Sequence, residues 1–169
     1  MRRTLRRWRA LVLLALAALG AGLALIRGEP GQPDLSGPAQ VVDGDTLVLR
    51  GERVRLHGVD APESNQPCER EGLRWPCGRD VTVSLRLFLD GRMVRCVSQG
   101  RDRFGRVLGR CHAGDQDIGA WLVREGLAVA YTRYSWRYLP QELRARWEGR
   151  GLWGGRFEAP EEWRRRNQR

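Results

Sequence analysis

Residues 41–64 read VVDGDTLVLRGERVRLHGVDAPES. Val41 and Val42 end one apolar run, and Asp43-Gly44-Asp45 forms a sharp bend. Thr46-Leu47-Val48-Leu49 is a β-branched and aliphatic run that Gly51 turns, and Val54, Leu56 and Val59 carry the next strand toward a turn at Ala61-Pro62. Residues that flank turns at one end of a small sheet lie close in space despite their separation in sequence. The pattern therefore predicts that Asp45 and Asp60 face each other across a mouth, with Glu63 on the adjoining turn and Arg55 on the strand that leads to Asp60. Only oxygen ligands are on offer, which suits a hard cation such as calcium or magnesium.

Downstream of this stretch, Gly72 to Gly78 reads as loop. Val81, Leu85, Phe88 and Leu89 then form one apolar face of a helix over Arg79 to Leu89, which Asp90-Gly91 stops. Two strand-like runs follow, Met93 to Val97 and Val107 to Cys111. Asp117 caps a second predicted helix with Ile118, Trp121, Leu122 and Leu127 on its apolar side and Gly126 near its end. Pro140 suits the first turn of a third helix that ends at Gly149, with Leu143 and Trp147 as its inner residues. Leu152, Trp153, Phe157 and Trp163 read as a tail packing back on the domain, and Arg164, Arg165 and Arg166 as a solvated end.

Four cysteines allow three pairings, and none lies in a C-x-x-C, which disfavours zinc. If the runs containing Cys96 and Cys111 form a hairpin around Arg103-Phe104, the two fall opposite each other, within disulfide reach. That leaves Cys68 with Cys77, closing the loop after the Asp60 to Glu63 turn. Such bridges fit an oxidising compartment.

The amino terminus points the same way. Ala10 to Ile26 is an uninterrupted apolar run of 17 residues, at the short end for a membrane span, preceded by Arg2, Arg3, Arg6, Arg7 and Arg9. The arginines should stay in the cytoplasm and the rest should be exported. No polar region precedes a small-residue cleavage site, which favours an uncleaved anchor over a cleaved signal peptide; in the second case the protein is secreted. The expected organisation is an anchor over 1–27, a linker over 28–38, one domain over 39–153 and a tail over 154–169. The formal charge is +10, and removing the five leading arginines leaves +5, a balance that favours a polyanionic partner. Every basic residue is arginine. No serine sits in a nucleophile elbow, and neither His57 nor His112 has a catalytic partner pattern.

Three strings stand in order: D-G-D-T from Asp43, R-L-x-G-V-D-A-P-E from Arg55, and D-R-F-G-R from Asp102 to Arg106. Together they resemble the staphylococcal nuclease family over about Ala39 to Trp153. Periodicity leaves several α+β folds open. The resemblance implies a five-stranded oligonucleotide-binding (OB-fold) barrel with about three helices. It further implies a calcium-dependent nuclease that cuts DNA and RNA at the 5′ P–O bond. Asp45, Asp60 and the Ala61 main-chain oxygen would hold the ion, and Glu63 would orient or deprotonate the attacking water. Arg55 and Arg106 would contact the phosphate, Tyr131 would line the nucleotide pocket, and Asp43 would support the metal turn. The family usually has threonine where this chain has Ala61; a main-chain ligand should survive that change. A barrel that binds single strands without turnover, tethered to the membrane, is the alternative.

Overall fold

The computed structural model describes residues 35–167. The expected anchor, Ala10 to Ile26, lies outside these residues, as does most of the expected linker. Among the described residues no helix is long and apolar enough to cross a membrane.

The described residues begin with three antiparallel strands, β1 (Leu35–Val41), β2 (Thr46–Leu49) and β3 (Glu52–Leu56), followed by the short β4 (Val59–Asp60). A small hairpin, β5 (Cys68–Arg70) and β6 (Leu73–Trp75), leads into helix α1 (Cys77–Leu89). The long strands β7 (Met93–Arg101) and β8 (Val107–Ala113) come next, then β9 (Gln116–Asp117) and α2 (Ile118–Arg124). The short β10 (Val129–Ala130), α3 (Leu139–Trp147), a 3-10 turn (Gly151–Gly154) and α4 (Pro160–Asn167) complete the chain.

The order β3-β2-β1-β7-β8 is antiparallel throughout, and a parallel pairing of β3 with β8 closes it into a five-stranded barrel. Alternation along the strands fills the interior. Leu47 and Leu49 of β2, Val54 and Leu56 of β3, and Val107, Cys111 and Ala113 of β8 are all buried. Each such valine or leucine contributes roughly 1.5–3 kcal/mol on burial. Val81, Leu85 and Leu89 of α1 and Ile118 and Leu122 of α2 join the same core, and Phe88 stacks on Trp121 with ring centroids 3.9 Å apart.

The hairpin register puts Cys96 opposite Cys111, and the two are bonded; the second bridge joins Cys68 to Cys77. Both follow the pairing read from spacing. The barrel pays a steric toll at Gly109, between Val107 and Cys111. A Cβ there would lie 2.5 Å from Val54 Cγ1 and 3.2 Å from Cys111 Sγ, so glycine makes room for the bridge inside the barrel.

Three features differ from the sequence reading. Leu35 to Pro38, read as linker, form the first half of β1 and pair with β7, while Ala39 to Val41 pair with β2. The strand changes partners next to Pro38, so the Gly-Pro composition that reads as loop marks a barrel corner. Leu143 and Trp147 are not inner residues of α3: they are 56% and 91% exposed. The buried positions are Glu142 and Ala145, because the Glu142 carboxylate accepts the Ala130 backbone N–H at 2.5 Å and bonds Arg146. A backbone donor at the end of β10 sets the phase of this helix, ahead of its largest apolar residues. Finally, the described residues hold four α-helices where about three were expected, since Pro160–Asn167 of the expected tail is helical.

The space at Gly109 generates a test. Gly109→Ala should destabilise the protein by about 1–3 kcal/mol, the cost of forcing extra volume into a packed core. Denaturant unfolding checks it.

Candidate active site

One face of the barrel opens onto a cleft of about 900 Å³ whose lining includes Asp45, Arg55, Glu63, Arg106, Tyr131 and Arg164. The two turns of the opening stretch build its floor. Asp43 Oδ1 accepts the Asp45 backbone N–H at 3.1 Å, and Val42 N–H bonds Thr46 O at 2.9 Å, so the Asp-Gly-Asp bend is self-capped. Gly44 is needed there because a Cβ would sit 2.7 Å from Ala61 Cβ and 2.8 Å from Val81 Cγ1. The bend thus packs against the second turn, and Ala61 N–H donates to Asp45 Oδ2 at 3.1 Å.

Arg55 joins the two turns. Its Nη1 lies 2.6 Å from Asp45 Oδ1 and its Nη2 lies 2.9 Å from Asp60 Oδ1. The structure therefore brings the two carboxylates together as expected, onto one guanidinium. Thr46 Oγ1 also donates to Asp45 Oδ1, at 3.2 Å. Asp60 is fixed from the other side by β4, which pairs with β10 so that Val129 lies opposite it. Both carboxylates are buried. Burial pushes the Asp45 carboxyl up from 3.8 to about 7; Arg55 pulls it back, and Asp43 and Asp60 push it further up. Burial raises Asp60 too, against the pull of Arg164 and Arg55.

Glu63 is less enclosed, with a side chain 33% exposed, and it hangs from a braced loop. Gln66 is fully buried; its Oε1 accepts the Glu63 N–H at 3.3 Å and its Nε2 donates to Glu158 O at 2.8 Å. The Glu63 carbonyl presses on the start of α1 so closely that a Cβ on Gly78 would lie 1.7 Å from it. The Cys68–Cys77 bridge closes the same loop. Neither Gln66 nor Gly78 stands out in the sequence, because their partners are a carbonyl and a loop that only the fold brings near.

Arg106 lines the cleft from the β7–β8 end. Asp102 holds one edge of its guanidinium, at 2.7 Å from Oδ2, while Asp102 Oδ1 accepts the Phe104 and Arg106 backbone N–H groups at 2.9 and 3.0 Å. The Asp-Arg-Phe-Gly-Arg string is thus a turn that aims its last arginine. Tyr131 is half-buried, its N–H bonded to Gly58 O at 2.9 Å, and its ring meets Tyr134 edge-on at 4.8 Å. Gly58 supplies that carbonyl from a left-handed backbone, φ +83°.

The sequence reading missed Arg164. Expected at a solvated end, it lies in the cleft with Nη2 at 2.7 and 3.0 Å from the two Asp60 oxygens and Nη1 at 3.0 Å from Glu63 Oε1.

Among the described residues no three His, Cys, Asp or Glu side chains are grouped as a metal cage. The set expected from sequence is smaller, two carboxylates and the Ala61 carbonyl, and its chemistry fits a hard cation. It holds oxygen donors only, and its two carboxylates already converge on one positive group.

The family described as staphylococcal nuclease homologue matches residues 53–155, more than half of the chain. A succinoglycan biosynthesis protein, ExoI, of Rhizobium meliloti is 37% identical over 142 residues, covering 82% of this chain and 74% of that protein. An uncharacterized endonuclease of Escherichia coli is 33% identical over 128 residues, 72% of this chain and 78% of its own. A probable staphylococcal-like nuclease of rice, CAN2, is 32% identical over 124 residues, 72% of this chain but 31% of its own length. With the barrel, the paired turns and these matches in hand, the chain belongs to the staphylococcal nuclease family.

Proposed function

We propose that this protein is a calcium-dependent nuclease that hydrolyses phosphodiester bonds of DNA and RNA at the 5′ P–O bond, leaving a 3′-phosphate. The observation that carries the reading is the convergence of Asp45, Arg55, Glu63 and Arg106 on one cleft from three separate segments, with the buried Asp60 bound to Arg55 at 2.9 Å. Calcium bound by the Asp45 and Asp60 carboxylates and the Ala61 carbonyl would supply positive charge that screens the phosphodiester.

The chain's own groups do the rest. The Glu63 carboxylate, exposed enough to meet solvent, takes a proton from the water whose oxygen attacks phosphorus. The bond from phosphorus to the 5′ oxygen breaks, and that oxygen leaves as a hydroxyl once protonated. Arg55 and Arg106 grip phosphate oxygens with planar guanidinium groups that stay charged at any working pH. Asp102 keeps Arg106 aimed while the substrate is absent. Tyr131, supported by Tyr134, offers an aromatic face to the adjoining nucleotide.

The reading extends to location. The barrel works outside the cytoplasm, tethered by Ala10 to Ile26 at the inner membrane, and the two disulfides support an oxidising compartment.

The direct test is a gel assay of the full chain in detergent on DNA and on RNA, with calcium, with magnesium and with chelator. Cleavage with calcium that chelator abolishes supports the reading; no cleavage of either polymer under calcium overturns it. Within that assay Asp45→Ala should lose activity together with calcium affinity. Glu63→Gln should lose about 10²–10⁴-fold in turnover, with a smaller fall in calcium binding. Arg55→Lys and Arg106→Lys should be poor despite keeping the charge. A fully active Asp45→Ala protein would remove the site assignment.

The pH dependence follows from Asp45. Its carboxyl holds a proton more tightly in the folded protein than in the unfolded chain, so it favours the fold at low pH. That contribution declines as pH rises from about 3.8 to about 7. In metal-free protein the gain in melting temperature from Asp45→Asn should therefore be larger at about pH 8 than at about pH 5. Calcium affinity of the parent should climb with pH and level off above about 7, since only the ionised carboxylate is a good ligand. An Asp45→Asn gain independent of pH would contradict the raised carboxyl.

For location, cell fractionation and amino-terminal sequencing should find the protein in the membrane fraction with residues 10–26 intact. A soluble protein beginning near Gly28 would replace the anchor with a cleaved signal.

A further inference from the structure

Every carboxylate oxygen of Asp45 and Asp60 already has a protein donor. Asp45 Oδ1 meets Arg55 and Thr46, and its Oδ2 meets the Ala61 N–H. Asp60 Oδ1 meets Arg55 and Arg164, and its Oδ2 meets Arg164 alone. A cation that takes Asp60 therefore meets a guanidinium at either oxygen and competes with its positive charge. The two guanidinium groups differ in how they are held. Arg55 rises from barrel strand β3 and braces both turns. Arg164 comes from α4, whose only buried residue is Pro160. Beside Arg164 itself, α4 is held in place by an exposed ion pair, Arg133 to Glu161 at 3.0 Å, and by the Gln66 bond to Glu158 just ahead of it. The match to the family model runs over residues 53–155 and stops ahead of this helix.

We propose that Arg164 and its helix are an intramolecular latch on the catalytic carboxylates: the guanidinium is a built-in counter-ion to Asp60 and Glu63 that a divalent cation must displace before the site is complete. The inference rests on the cation reading of Asp60 given above. While latched, Asp60 gives both oxygens to Arg164, and Glu63 spends Oε1 on an N–H donor, which withdraws electron density needed to take a proton from water. Glu161, Arg164 and Arg165 of α4 also line the cleft beside Glu63. Loading the cation frees Glu63 and loosens α4 in one event, so cation binding and opening of the cleft are coupled. Three carboxylates facing two guanidinium groups make the exchange feasible, because the arriving cation replaces the charge that leaves.

The test uses the full chain in detergent, with calcium chloride titrated calorimetrically into the parent, Arg164→Ala and Arg166→Ala. Arg166 lies on the same helix, carries the same charge and pairs only outward with Glu158, so it controls for net charge. Arg164→Ala should bind calcium about ten-fold or more tightly than the parent, the scale of one charge-assisted hydrogen bond no longer broken on binding. Arg166→Ala should stay within about two-fold, since exposed charges are screened. In the parent, saturating calcium should also speed amide hydrogen exchange across residues 160–167, a readout independent of any variant. Calcium affinity in Arg164→Ala equal to or weaker than the parent's overturns the latch and leaves the calcium reading standing, as does unchanged exchange in α4. A parent that binds no calcium overturns both.

Discussion

The structure depends on one guanidinium. Arg55 projects from β3 between two turns that lie sixteen residues apart in their contact at Asp45 and Ala61, and it binds a carboxylate from each. Two buried acids that close would repel, and each alone would be costly to keep ionised away from water. Arg55 makes their proximity tolerable, and its place on a barrel strand fixes the mouth of the cleft to the rigid part of the molecule. Catalytic groups set on turns gain precision only when such a tie to regular structure exists.

The barrel supplies that rigidity by economical means. Its interior is filled largely by leucines, valines and a disulfide, packed closely enough that one strand position has to be glycine. The candidate site draws its side chains from β3, β4 and nearby loops, with Asp102 holding Arg106 and Gln66 holding the Glu63 backbone in position.

The parts legible in sequence were those whose partners are near in the chain or related by strand register. Asp45, Arg55 and Asp60 fall within one hairpin and turn, so local signals were enough to bring them together. Cys96 and Cys111 followed from alternation across a hairpin. Legibility ended where a contact spans the chain or where polar satisfaction outweighs apolar size. Arg164 reaches Glu63 across 101 positions from a run of three arginines that looks like any solvated terminus. In α3 the pattern of Leu143 and Trp147 gave the wrong face, because Glu142 turns inward to satisfy a backbone N–H of β10. The start of β1 was hidden by Gly and Pro, whose composition reads as loop whether or not a partner strand is waiting.

The small bridge between Cys68 and Cys77 has a consequence for how the molecule ages. It spans the β5–β6 hairpin, which is exposed from Arg70 to Arg74 and carries two tryptic sites within the ring, at Arg70 and Arg74. A protease that cuts there opens a covalent loop without separating the pieces. The Glu63 side stays joined to α1 through sulfur, and Glu69 keeps its two main-chain bonds to Arg156. Such a nicked molecule would run as one band until reduced, then as two, while its barrel and cleft stayed assembled.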